Sequence, residues 1–313
     1  MIIAPKSLRE TNERLKRMES HLDGIYTRAS WEMAEKADEY FAKFEKMDAK
    51  KRKLVESGKL SEEEHRKWRK NKMLYGVRFA DFRRRITHEL AVVNESALAY
   101  INGETPEVFA LNYNNIGGDI ASEVNSRFDA GVSFDLVDAD TVRLLASEDR
   151  ELLPQKKLDI PKDERWNAQK MQSELLQGIM QGESIPKIAR RIENVVGMNK
   201  DSAVRNARTM VTAAQNGGRM AGMRRAEKLG VIEEKTWISS DQPGRTRNWH
   251  MPGSFVKLSV PIAEPFVNAM GKIMFPGDPH AENPQNVYNC RCTLGVEIVG
   301  FRDPETGKVR RLK

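Results

Sequence analysis

The sequence predicts an α+β protein: a mostly helical N-terminal arm and a helical layer, followed by a small, irregular antiparallel sheet as a C-terminal module. Three observations predict it. Apolar residues recur at three- and four-residue spacing over the first hundred positions, helical periodicity with capping signals resumes at residue 163, and beyond Gly230 the apolar residues fall into short runs separated by Pro, Gly and Asn. The 313 residues suffice for two medium cores or one large one. A composition 39% apolar and 31% charged points to much solvated helix surface, while five Trp and eleven Phe still nucleate packing.

The arm, residues 1–100, carries two stripes, Ala34, Ala37, Phe41 and Phe44, then Phe79, Phe82, Ile86, Leu90 and Val93. Ser57-Gly58 breaks the run and Ser61 with Glu64 restarts it as a capping box, giving a helical hairpin. Trp31 and Trp68 either pack between its arms or anchor a partner's groove. Residues 101–162 read as an acidic connector: NYNNIGG from Asn112 to Gly118 is turn-rich, Val132 to Leu145 has no firm assignment, and Pro154 and Pro161 resist helix. Asp163 can cap a helix that Gly182 ends; Ser184 and Pro186 open a second that Gly197 closes; Asp201 opens a third running to about Leu229.

On that third helix, Val204, Ala207, Val211, Ala214, Gly218 and Ala221 form a narrow small-residue seam, edged by Arg205, Arg208, Thr212, Gln215 and Arg219. The edge is either solvated or a phosphate or carboxylate contact. From 231 to 300 short strands are expected, KTWISS first, and residues 301–313 read as a basic tail.

Net charge is +7, distributed as +6 over residues 1–100, −7 over 101–182, +6 over 183–230 and +2 over 231–313. Alternating blocks suit a chain that meets more than one surface, with polyanion contact open to the basic ones through Lys51, Arg52, Arg84, Arg205, Arg208 and Arg219. The apolar opening MIIAP turns charged at once, so neither a signal-peptide core nor a membrane span fits, and no membrane partner is expected. Two cysteines cannot build a disulfide framework; they point to a reducing compartment or a metal site.

The densest chemistry lies between Asp241 and Cys292. Cys290 and Cys292, with His250 and either Asp241 or His280, would supply four zinc ligands of suitable type, although a C-x-C pair lacks the second clamp that makes zinc motifs specific. Otherwise the cysteines are small buried hydrophobes under a loop. Asp241 and His250 can also form an acid/base pair, with Arg245 or Arg247 stabilising an anion, or the same groups brace an irregular loop. No G-x-S-x-G elbow, Gly-rich phosphate loop or H-E-x-x-H pattern occurs.

The order Ala207-Arg208-Thr209, Gly218-Arg219, Trp237, Asp241 with Arg245 and Arg247, His250, Gly253, Pro276-Gly277-Asp278-Pro279 and Asn289-Cys290-Arg291-Cys292 resembles the phage Mu F-like head morphogenesis family over about residues 165–296. Met210 stands where that family commonly has an acidic residue, so no carboxylate role transfers there. The resemblance implies a Mu F-like domain over 163–300 and a minor capsid protein of a tailed phage. Such a protein associates with the portal inside the capsid, after assembly in the host cytoplasm, and acts in head assembly, DNA packaging or DNA ejection. Implied partners are the portal protein, the major capsid or scaffolding protein, and double-stranded DNA bound without sequence preference. It implies no enzyme: the seventeen residues after Val296 are too few for the toxin or transferase domains fused to some relatives. The alternative is a head-carried, metal-assisted DNA hydrolase using His250, Asp241 and Arg245.

Overall fold

The computed structural model describes residues 2–149, 151–153, 155–240 and 246–311. Among them the order is β1 (Ile2–Ile3), α1 (Leu8–Glu56), α2 (Glu62–Leu74), α3 (Val77–Phe128), α4 (Ala139–Glu148), α5 (Ile160–Met180), α6 (Ile185–Lys228), β2 (Val231–Ile238), β3 (Ser259–Pro261), β4 (Phe266–Asn268), β5 (Gly271–Ile273), β6 (Thr293–Arg302) and β7 (Val309–Arg311). The α+β expectation holds, with six helices and an antiparallel C-terminal sheet among the described residues. None of these helices is long and apolar enough to cross a membrane.

The chain forms two compact units, each assembled from separate stretches. One comprises Ser20–Ala99 and Lys157–Val204 and is helical throughout. Leu22, Tyr26, Ala29, Met33, Ala37, Phe41 and Phe44 of α1 are buried at three- and four-residue spacing, and α3 answers with Phe79, Phe82, Ile86 and Leu90. Tyr40 stacks on Phe82 with ring centroids 4.3 Å apart. The Ser61–Glu64 capping box forms in full and starts α2. Trp68 is half-buried, stacked on His65 with Lys51 over its ring, but Trp31 is 72% exposed and packs in no core.

In this unit α5 begins earlier than the sequence suggests. Asp159, not Asp163, is the cap, accepting the Lys162 N–H at 3.0 Å, while Asp163 lies inside the helix and accepts from Asn94 and Asn167. Nor does Gly197 close a helix, because α6 runs unbroken from Ile185 to Lys228. A helical glycine costs only about 1 kcal/mol. Around it Val195 and Val196 are buried and Asn199 donates to both the Val195 carbonyl and Asn167.

The second unit comprises Met1–Glu19, Tyr100–Lys156 and Arg205–Lys313. Residues 101–162 are not a connector, since α3 continues through Asn112–Gly118 to Phe128 and α4 follows under an Asp138 cap. The asparagines read as turn formers are spent on tertiary ties. Asn112 accepts from Ser7 and donates to Thr11, and Asn114 brackets the N–H and C=O of Val137. Pro106 is tolerated inside α3 because the Thr105 hydroxyl donates to the Asn102 carbonyl that Pro106 cannot serve. Pro154 lies outside the described residues; Pro161 sits in the first turn of α5, where no N–H is needed.

The sheet runs β1-β6-β2-β3, all antiparallel, with β7 also on β6, and β4-β5 forms a separate hairpin. The expected basic tail is therefore partly sheet: Phe301 and Arg302 finish β6, and Val309–Arg311 pair back on it. Ile116, Ile120 and Val124 of α3, Met220 and Met223 of α6, and Trp237, Leu294, Val296 and Ile298 of the sheet share one core. Gly218 lets α6 approach α3, for a Cβ there would stand 2.3 Å from the Phe109 carbonyl oxygen.

Candidate functional site

The strongly polar face of α6 that reads as a cationic edge is instead the mount for the Cys–His loops. Thr212 donates to the Cys290 carbonyl at 2.6 Å, Gln215 to Thr293 at 2.9 Å and Arg219 Nε to the Leu294 carbonyl at 2.8 Å. Asn216, fully buried, donates to the carbonyls of Thr212, Pro276 and Cys292 and accepts from the Leu294 N–H and the Thr293 hydroxyl. These bonds give irregular backbone the partners that secondary structure does not supply.

The PGDP turn is held by the same helix. Gly277 has φ +86° and a Cβ there would lie 2.7 Å from the Ala213 nitrogen, so both conformation and space require glycine. Asp278 closes the turn by accepting from the N–H groups of Met274 and His280. His280 is thereby displayed on the surface, and among the described residues it joins no ligand cluster. At NCRC, Asn289 adopts φ 54° and gives its N–H to Thr209 Oγ1, which sets the two thiols facing inward.

His250 sits on a single 3-10 turn, Asn248–His250, and is 1% exposed. Its Nδ1 lies 3.5 Å from Cys290 Sγ and 3.8 Å from Cys292 Sγ, and the three donor atoms all fall within 4.8 Å of one another. The hydrogen bond between the sulfurs divides their acidities. It lowers the Cys292 thiol to about 5, with His250 adding to the shift against the effect of burial, and raises Cys290, where burial acts in the same direction. The predicted partners Asp241 and Arg245 lie outside the described residues. Arg247 donates to the Tyr288 carbonyl and so joins the two loops.

These groups form the floor of a polar cleft of about 440 Å³, lined also by Arg208, Ser240, Thr246, Arg247, Asn289 and Arg291. Arg208 is engaged with Glu19 at 2.6 Å. Of the residues read as phosphate contacts, Arg219 is fully buried, and burial lowers it to about 10, so it is a brace and not a nucleic-acid contact. Arg205, Arg52 and Arg84 are exposed, Arg52 against Asp48 and Gly182 and Arg84 against Asp81. Lys51 is half-buried over Trp68. Met210 is 6% exposed in an apolar setting.

Sequence reasoning missed Asn216, Asn268 and Asn286, whose partners are far away in the chain, and the buried Lys235, lowered to about 7 by burial and donating to the Ile262 carbonyl. It also missed Asp48, held between His65 and Arg69 at 2.6–2.8 Å in the helical unit. The signal for that cluster is a carboxylate, a histidine and an arginine on neighbouring helices.

The family model described as Phage Mu protein F like protein matches residues 169–295. A curated relative, the NAD(+)–arginine ADP-ribosyltransferase EFV of Enterococcus faecalis (strain ATCC 700802 / V583), is 28% identical over 142 residues, which are 45% of this chain and 28% of that protein. The chain therefore spans less than a third of that relative's length. No solved structure matches. With the NCRC loop, the PGDP turn and their helical mount in place, residues 169–295 are the part of this chain that is similar to the Phage Mu protein F like family.

Proposed function

We propose that this chain is a structural minor head protein of a tailed phage, associated with the portal on the capsid interior and acting in head assembly, DNA packaging or DNA delivery. The similarity to the Phage Mu protein F like family over residues 169–295 supports association with the virion, and the portal position and copy-limited role are our reading. The observation that carries the structural reading is the use made of the Cys–His loops' polar groups. Thr212, Gln215, Asn216 and Arg219 are all buried and all hydrogen-bonded to the segment from Pro276 to Leu294, which is how a scaffold spends its side chains. The exposed cations Arg84 and Arg205 suit non-specific contact with packaged DNA, with affinity falling steeply as salt rises.

The test is co-expression with the portal protein of the genome that carries this gene, with the major capsid protein as a second bait. Retention on the portal at physiological salt supports the reading. Capture by neither, together with absence of the chain from purified heads, overturns it.

The cleft favours one second reading, a metal-assisted DNA hydrolase carried in the head. Its floor holds His250 and two thiols, and its walls hold Arg208, Arg247 and Arg291. Incubation of the full chain with linear DNA and divalent metal decides between them. Cleavage lost in His250→Ala would favour the enzyme.

A further inference from the structure

The orientation of the His250 ring is set by a relay that begins in the backbone. Asn268 gives its amide N–H to the Trp249 carbonyl, and its Oδ1 accepts the Met270 N–H at 2.8 Å, so which end of that amide is oxygen is fixed by main-chain partners. Asn286 pairs reciprocally with Asn268: its Nδ2 donates to Asn268 Oδ1 and its Oδ1 accepts from Asn268 Nδ2. The same Asn286 Oδ1 lies 3.2 Å from His250 Nε2. An amide oxygen only accepts, so Nε2 carries a hydrogen, and Nδ1 is the ring nitrogen that faces Cys290 and Cys292 and is open to an ion once it is unprotonated.

Three soft donors are thus aimed at one point. In a tetrahedral zinc site, with bonds of about 2.0–2.1 Å to nitrogen and about 2.3 Å to sulfur, neighbouring nitrogen and sulfur donors stand about 3.5–3.6 Å apart. The observed separations are 3.5 and 3.8 Å. Around them is the outer shell such a site uses. The imidazole's far nitrogen is anchored by an amide, the Cys292 N–H points at Cys290 Sγ at 3.4 Å, and the carbonyls of both cysteines are pinned to α6 by Thr212 and Asn216.

We propose that His250 Nδ1, Cys290 Sγ and Cys292 Sγ bind a zinc-class divalent ion, with a fourth ligand entering from the cleft. Zinc is the class that thiolate and imidazole select, and binding releases the thiol protons to solvent. The ion closes the loop bearing His250 onto the loop bearing the cysteines, a join to which the Arg247–Tyr288 and His250–Asn286 hydrogen bonds also contribute. The proposal stands on this geometry and is independent of the portal reading.

Elemental analysis of the full chain, purified reduced and without chelator, should find about one zinc per chain. Cobalt in its place should give a thiolate-to-metal charge-transfer band and the intense visible bands of a tetrahedral ion. Cys292→Ser should abolish the charge-transfer band or shift it, and Asn286→Ala should weaken zinc about 10- to 100-fold in competition with a chromophoric chelator. A folded wild-type chain that holds no transition metal and gives no cobalt band overturns the proposal whether or not the variants fold. So does a Cys290–Cys292 disulfide in the reduced preparation. Unchanged affinity in Asn286→Ala would overturn the relay as the source of the ring's orientation.

Discussion

His65 and His250 are both buried, at 4% and 1% exposure, and are held in opposite ways. In the helical unit His65 meets Asp48, whose second oxygen and first are gripped by Arg69, and Arg69 also donates to the Glu183 carbonyl. In that cluster Arg69 spends two hydrogen bonds on the Asp48 carboxylate and one on the backbone, and His65 one on the same carboxylate. In the sheet unit His250 has an amide on one nitrogen and two thiols near the other, so that three electron-pair donors converge on one point. A buried histidine closed by charge is a clamp; one surrounded by donors is a socket. Residue type alone does not separate them, and partner type does.

The largest effect should come from breaking the clamp. Asp48→Ala strands the Arg69 guanidinium in the interior and should cost about 3–5 kcal/mol in denaturant unfolding. Replacing Asp48 and Arg69 together by methionine should cost far less, because no uncompensated charge is left. If the double variant were as unstable as the single one, packing and not charge pairing would be the source. Next comes the socket's mount. Asn216→Ala leaves buried groups at Pro276, Cys292 and Leu294 without partners and should cost about 3 kcal/mol, seen in the same experiment. Gly218→Ala drives a methyl into the Phe109 carbonyl and should cost about 1–3 kcal/mol.

How much of this was legible in the sequence follows from the range of each interaction. The Ser61–Glu64 box and Pro186 in a first turn are decided within four or five residues and appear as read, whereas of KTWISS only Lys235–Ile238 is strand, the end of one that begins at Val231. The apolar stripes were legible for the same reason. Gly197 and NYNNIGG misled because their local preference is overruled from outside, by Asn167 on Asn199 and by Ser7, Thr11 and Val137 on the asparagines. Cys290, Cys292 and His250 were legible as a set because rare residue types crowd one stretch. Asn268, Asn286 and Asn216 were not, since an asparagine's role is written only in which groups surround it.

Acid titration should sharpen the comparison with smaller shifts, both within the helical unit. Burial raises the Asp163 carboxyl, only partly offset by Asn94 and Asn167, so the folded state takes up its proton first and stability rises as pH falls through that raised value. Burial also pushes Asp48 up, but Arg69 and His65 outweigh it and hold the carboxyl low; its stabilisation is present above the ordinary value of about 3.9 and lost only as pH falls through the lowered one. Unfolding midpoints across this range should therefore rise before they fall, and Asp163→Asn should remove the rise alone. Smallest of all, Trp31→Ala should change stability by no more than about 0.5 kcal/mol, since the indole is 72% exposed.

The central claim is that the Cys–His loops brace a scaffold, and one paired measurement on the full chain tests it most directly: thermal unfolding of wild type and His250→Ala, alongside incubation of each with linear double-stranded DNA and divalent metal. The account predicts a lower unfolding temperature for the variant and intact DNA with both proteins. Wild-type cleavage of the DNA, lost in a variant that unfolds at the wild-type temperature, would contradict it.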